Sequence, residues 1–369
     1  MIQGLPSNSA ETFKRHREEC LRSLANLPKL SPRDISERLI ELGYKGQDDA
    51  RQAMSLMAYR HARRLQRLYL DKEARESLPS KQNVLLLGPT GSGKTFLIEL
   101  LFQHIIKLPT VIVDITSFTE TGYIGDSVST ILTRLIMAAE GNPYLAACGI
   151  VCLDEFDKLA SSSSNARFAG QGTTKDVSGY GVQRELLAMM HGAEVVVPMD
   201  YGVSEYGPRL KMSTHDIPFL ACGAFAGYRE MLKEESLGIG FEPLGKDQHY
   251  FENAEAFQKY GFLPELIGRF ARIVAFDALD KDTLKTILEE NILPRFRNEF
   301  AAEGLKLSIS KEAMSFIIGR AQQRATGARG LHNELVSAIE EAAYLSFMAK
   351  KHSEVIIELD GQNLTSKVQ

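Results

Sequence analysis

Residues 84–95, VLLLGPTGSGKT, limit what this chain can fold into more than any other stretch. A short apolar run ends at Gly88. The pattern Gly-x-x-x-x-Gly-Lys-Thr then runs through Gly88, Gly93, Lys94 and Thr95. A helical pattern follows over 96–107 and stops before Pro109. Strand, glycine loop and helix in that order are the context a phosphate-binding loop requires. Gly88, Gly91 and Gly93 can take positive φ and bring backbone close to a ligand. With Pro89, Thr90 and Ser92 between them, successive N–H groups form an anion nest at the positive end of the following helix. Lys94 is expected to reach the β- and γ-phosphates of a nucleotide, and the Thr95 hydroxyl to hold Mg²⁺. The competing reading, a glycine-rich turn that binds nothing, does not explain the flanking strand and helix.

Four more apolar runs have strand length: 110–115, 150–153, 218–222 and 273–276. With 84–87 they make five, separated by helical stretches, as a parallel sheet covered on both faces demands. The expected fold is α/β, with a five-stranded parallel core. The run 150–153 leads straight into Asp154 and Glu155. Asp154 is placed to hold the Mg²⁺ hydration shell, and Glu155 to orient and polarise an attacking water. A bare Asp-Glu pair is usually just solvated; its position at the end of an apolar strand argues for chemistry.

Elsewhere the pattern is mostly helical. A charged helix is expected over 10–27. A second starts at Ser31 as N-cap with Pro32 in the first turn and stops at Gly43. A third spans about 48–70 and carries Arg60, Arg63, Arg64 and Arg67. Those arginines read either as a nucleic-acid patch or as a solvated face packed by Met54, Met57, Leu65 and Leu68. The net charge of −4 favours the second. Residues 160–182 are Ser- and Gly-rich and read as a mobile loop. Residues 195–212 read as a hairpin turned at 199–208. After Asp277 the chain is mostly helical, with short strands expected at 305–309 and 355–359. The expected domains are a helical extension (1–30), a large domain (31–277) and a small C-terminal lid (278–369).

No apolar run is long enough to cross a bilayer, and the N-terminal residues lack the apolar core of a secretion signal. A cytoplasmic protein without membrane or nucleic-acid partners is expected. Of the four cysteines, Cys20, Cys148, Cys152 and Cys222, only Cys148 and Cys152 are close in sequence, so buried free thiols are expected rather than a zinc site.

Taken in order, the motifs resemble the ATPase module of the ClpX family of hexameric AAA+ protein unfoldases and, more loosely, HslU. The likeness runs from about 30 to 360. Gly46-Gln47 resembles the box beside the adenine, GPTGSGKT (88–95) the Walker A loop, and TGYIG (121–125) the first pore loop. LDEFDK (153–158) resembles Walker B, and DVSGYGVQ (176–183) the second pore-loop region. CGAFAG (222–227) resembles the segment after the fourth strand. GFLPELIGRF (261–270) resembles the arginine-finger stretch, and TGARGL (326–331) the sensor-2 stretch.

The resemblance implies a homo-hexameric, ATP- and Mg²⁺-dependent unfoldase acting on protein substrates, with ATP between large and small domains. It implies that Arg269 reaches the neighbouring subunit's γ-phosphate, that Arg329 contacts the phosphates from its own small domain, and that Tyr123 and Ile124 grip substrate in a central pore. Ile239, Gly240 and Phe241 resemble the loop that docks on a ClpP-like peptidase. Nothing before residue 30 matches the four-cysteine zinc domain that ClpX normally begins with. The hairpin tip MDYGVSEYG (199–207) lacks the basic residues of the family's pore entrance, and the sensor-1 position near Cys222 has no clear occupant. Three alternatives stay open: a stand-alone remodeller without a peptidase, a nucleic-acid-associated AAA+ ATPase, and a nucleotide-gated scaffold in which Glu155 is idle.

Overall fold

The structure, a computed structural model, describes residues 8–119, 126–160, 178–198, 209–237, 254–347, 354–361 and 363–368. Its contacts divide into two compact units. One holds Met1–Leu39, Asp49–Leu87 and Thr95–Ala275; the other holds Ile40–Asp48, Gly88–Lys94 and Phe276–Gln369.

The first unit is built on five strands: β1 (Asn83–Leu87), β2 (Thr110–Asp114), β3 (Ile150–Asp154), β4 (Phe219–Gly223) and β5 (Phe270–Ala275). All pairings are parallel, in the order β2-β3-β4-β1-β5. Every residue of β1 and β4 is buried, which explains why both read as unbroken apolar runs. β5 starts three residues before the expected run. It is an edge strand, so Ala271 and Arg272 can face solvent, and that polar interruption hides its beginning. The register sets Asp114 opposite Asp154 and Leu87 opposite Gly223, bringing the C-terminal ends of these strands to one edge.

Asn83 ties the other edge together. Its buried side chain donates to the Arg269 carbonyl at 3.0 Å and accepts from Phe219 N–H at 2.9 Å. The core includes a ring cluster in which Phe156 stacks on Phe262 with centroids 5.2 Å apart, and Tyr228 on Phe257 at 4.3 Å. Each such pair adds about 0.5–1.5 kcal/mol beyond its buried area.

Helices α1 (Asn8–Ala25), α2 (Pro32–Glu41) and α3 (Asp48–Tyr69) lie where the sequence predicts them. The Ser31 hydroxyl accepts from Asp34 N–H at 3.2 Å while the Asp34 carboxylate accepts from Ser31 N–H at 2.8 Å, a reciprocal capping box. The arginine face of α3 is not wholly solvated. Arg64 is 8% exposed and pairs with buried Asp216 at 2.5 Å, and Arg75 and Tyr69 reach the same carboxylate. A cation facing inward can stay charged only with such a partner.

After the glycine loop the helix Lys94–Ile98 continues as wider π-helical turns over Glu99–Ile106. The helix Ser178–His191 takes up the end of the stretch expected to be a loop. The expected hairpin pairs Glu194–Pro198 with Arg209–Ser213; its tip lies outside the described residues. All four cysteines are buried and free, Cys152 and Cys222 with sulfurs 3.9 Å apart across β3 and β4.

The second unit has its own core, including Leu284, Phe300, Ile317, Leu335 and Val355. Helices Lys281–Ile287, Leu293–Ala302, Lys311–Gln323 and Gly327–Ser346 accompany β6 (Lys306–Ile309), β7 (Glu354–Asp360) and β8 (Asn363–Val368), paired β6-β7-β8. β8 has no counterpart in the sequence expectations. Its residues NLTSKV are only half-buried on an edge, and the backbone ladder to β7 defines it. Among the described residues no helix is long and apolar enough to cross a membrane.

Candidate functional site

The glycine loop is shaped by three different constraints. Gly91 and Gly93 have φ of +74° and +93°, the left-handed region that L side chains avoid. Gly88 does not; it is glycine for space, since a Cβ there would stand 2.4 Å from that of Phe276. Within the loop the Lys94 ammonium donates to the carbonyls of Gly88 at 2.6 Å and Pro89 at 2.8 Å. Ser92 is 3% exposed, and its hydroxyl has no hydrogen-bond partner among the described residues. A left-handed cradle, a buried unsatisfied hydroxyl and an ammonium held by the loop suit a polyphosphate.

The same unit brings residues 326–328 onto the loop. Ala328 N–H donates to the Gly91 carbonyl at 3.1 Å. Arg329, the next residue, is exposed in the first turn of Gly327–Ser346. Pro89, Thr90 and Ser92 share a cavity of about 200 Å³ with Leu279, Ala325 and Gly327. Gly46 and Gln47 take φ of +70° and +54°, and the Gln47 amide pairs both ways with Asp277, donating to its carbonyl at 2.7 Å and accepting from its N–H at 3.1 Å. The ring of Tyr44 closes on Gly93, 3.4 Å from where a Cβ would stand.

At the sheet edge of the first unit, the Thr95 hydroxyl donates to the Asp154 carboxylate at 2.9 Å. The other Asp154 oxygen accepts from Glu155 N–H, also at 2.9 Å. A hydroxyl and a carboxylate in direct contact are the donor set Mg²⁺ takes in phosphate-loop enzymes. Glu155 is exposed and sits at φ +54°, a conformation that costs a non-glycine residue of order 1–3 kcal/mol.

Two positioning groups escaped sequence reasoning. Asp157, 8% exposed, accepts from the N–H groups of Ala224 and Phe225 at 3.3 Å each. Its carboxylate is the polar group at the segment where no sensor-1 side chain could be assigned. Gly223 has no room for a Cβ, which would lie 2.7 Å from an Asp157 oxygen. The available signal was the third acid of LDEFDK. Gln183, the last residue of the second pore-loop motif, is buried. It accepts from Leu263 N–H at 2.8 Å and donates to the Gly261 carbonyl at 3.2 Å, fixing the stretch that leads to Arg269. Arg269 itself is exposed, and none of the described carboxylates pairs with it. Tyr123, Ile124, Ile239, Gly240 and Phe241 lie outside the described residues.

Known proteins resemble this chain along most of its length. The model of the AAA domain (Cdc48 subfamily) matches residues 80–273, and that of the C-terminal, D2-small domain of ClpB protein matches 279–357. The chain is similar to ATP-dependent Clp protease ATP-binding subunits ClpX from several bacteria. It is 31% identical to that of Porphyromonas gingivalis over 94% of this chain and 85% of the relative. It is 35% identical to that of Azotobacter vinelandii over 81% and 70%, and 34% identical to that of Treponema denticola over 89% and 80%. Matched along most of its length by these relatives, and by an AAA domain model over more than half of it, this chain belongs to the ClpX family of AAA+ proteins.

Proposed function

We propose that the chain is an ATP-hydrolysing protein unfoldase that works as a homo-hexameric ring in the cytoplasm and passes substrates to a ClpP-like peptidase. The Thr95–Asp154 contact with Glu155 beside it carries the hydrolytic part of this reading. Mg²⁺ bound by Thr95 and Asp154 would neutralise charge on the phosphates. Lys94 and the N–H groups of the loop, Pro89 to Gly93 included, hold the phosphates, and Arg329 reaches them from the helix start beside Gly91. Glu155 holds a water and takes up its proton as the water attacks. Arg269, exposed and without a carboxylate partner among the described residues, is suited to act on a neighbouring subunit's nucleotide and stabilise charge that develops there. Tyr123 and Ile124 are assigned to grip substrate, and Ile239, Gly240 and Phe241 to docking on the peptidase; family position supports both. Glu155→Gln should retain ATP binding and lose turnover. Wild-type hydrolysis in that variant would overturn the assignment.

A second reading is a remodeller that uses no peptidase. The hairpin tip at 199–207, without a basic residue, favours it. Peptidase stimulation that depends on Phe241 would exclude it.

A further inference from the structure

The arginines of α3 border a cavity that the nucleotide chemistry does not use. It has a volume of about 680 Å³ and lies between α3 and the segment leading into β1. Arg60, Arg63, Arg64 and Arg67 line it from the helix, and Lys81 from the segment. None of the described residues lining it is acidic. Met57, Leu78 and Pro79 supply an apolar wall.

Three of these cations are already engaged. Arg64 holds Asp216 and the Pro79 carbonyl, Arg67 holds Glu73, and Lys81 donates to the carbonyls of Thr214 and Ile217. Arg60 and Arg63 are different. Both are exposed, Arg63 donates only to the neutral Gln66 amide at 2.9 Å, and among the described residues no carboxylate pairs with either. His61, also on the lining, keeps Nδ1 buried and without a partner among the described residues. Burial is the main cause that pushes Lys81 down to about 7. An anion in the cavity would favour its charged form.

Guanidinium forks match phosphate oxygens two at a time. The volume falls within the roughly 300–1,000 Å³ of small-molecule sites. A long polyanion needs an open stripe of cations, whereas here they converge on one concavity beside an apolar wall, in a chain of net charge −4. We propose that this cavity is a second anion site, which takes a small, multiply charged phosphate compound through Arg60 and Arg63.

The test is calorimetric titration of tripolyphosphate at low salt into full-length Lys94→Ala protein, which silences the glycine loop, with thermal unfolding as the check that it folds. The same titration follows in Lys94→Ala/Arg60→Glu/Arg63→Glu, where both added changes are at exposed positions. Saturable binding that weakens with salt and falls roughly tenfold or more in the triple variant supports the site. Displacement by GDP would assign it to nucleotides, and failure of GDP to displace tripolyphosphate to inorganic polyphosphate. Absence of binding at millimolar tripolyphosphate, or equal affinity without the two arginines, overturns it. So does binding of a DNA oligonucleotide or a polyglutamate peptide that tripolyphosphate cannot displace.

Discussion

Gly91 and Gly327 pass so close that neither has room for a side chain. A Cβ on Gly91 would stand 2.1 Å from the Thr326 carbonyl oxygen, and one on Gly327 2.5 Å from that of Gly91. The contact is backbone on backbone, so no rotamer change can relieve it. Gly91→Ala and Gly327→Ala should each weaken ATP binding roughly tenfold or more, equivalent to about 1.4 kcal/mol. Gly304 supplies the control. It also has positive φ (+78°), but nothing lies within 4 Å of its Cβ position. Gly304→Ala should cost about 1 kcal/mol of stability and leave nucleotide affinity unchanged. Titration with a fluorescent ATP analogue and thermal unfolding separate the two effects.

The Thr95–Asp154 bond invites a comparison of magnitudes. As a hydrogen bond near the surface it contributes about 0.5–1.5 kcal/mol to stability. Thr95→Ala should therefore change urea unfolding by no more than that. If the pair holds a metal at the phosphates, the same substitution should lower ATP turnover by roughly a hundredfold, about 2.7 kcal/mol of barrier. Equal small losses in both measurements would reduce the contact to a structural one.

Asp157 should behave as a positioning residue. Asp157→Ala leaves the N–H groups of Ala224 and Phe225 without their acceptor and loosens the segment that follows β4. Steady-state kinetics should show kcat falling several-fold or more while KM for ATP stays close to wild type. Asp157→Asn keeps one carbonyl acceptor and should recover part of the loss. A rise in KM alone would contradict the assignment.

His61 gives a pH signature. Burial is the main cause that pushes its pKa from the ordinary 6.5 down to about 4. The folded chain therefore declines a proton that the unfolded chain accepts. Stability from this source is intact above about 6.5, falls between 6.5 and 4, and levels off below 4. The slope is about 1.4 kcal/mol per pH unit. Urea unfolding at pH 7 and pH 5 should differ by about 2 kcal/mol more in wild type than in His61→Gln. Parallel losses in the two proteins would show that His61 titrates normally.

The parts of this molecule that were legible in the sequence are those decided locally. Five apolar runs became five parallel strands because burial on both faces leaves little choice of residue. GPTGSGKT and the acids ending β3 were legible for the same reason, since spacing along the chain fixes their geometry. What was not legible depends on partners far away in sequence. Arg64 reads as one arginine in a solvated run until Asp216 is placed beneath it. Gly88 reads as a glycine for turning until Phe276 fills the space beside it. Asn83 carries no motif of its own, and the motif that ends at Gln183 does not single it out; each matters because two backbone segments distant in sequence converge on its amide. β8 was invisible because an edge strand can be held by its ladder without an apolar pattern.

The left-handed backbone at Glu155 sets endurance against turnover at a single position. Asparagine or glycine would rest there with less strain, and either would remove the carboxylate proposed to activate water. A search for sturdier variants of this chain would be drawn to residue 155 early, and its gains there would yield proteins that hold nucleotide but no longer consume it.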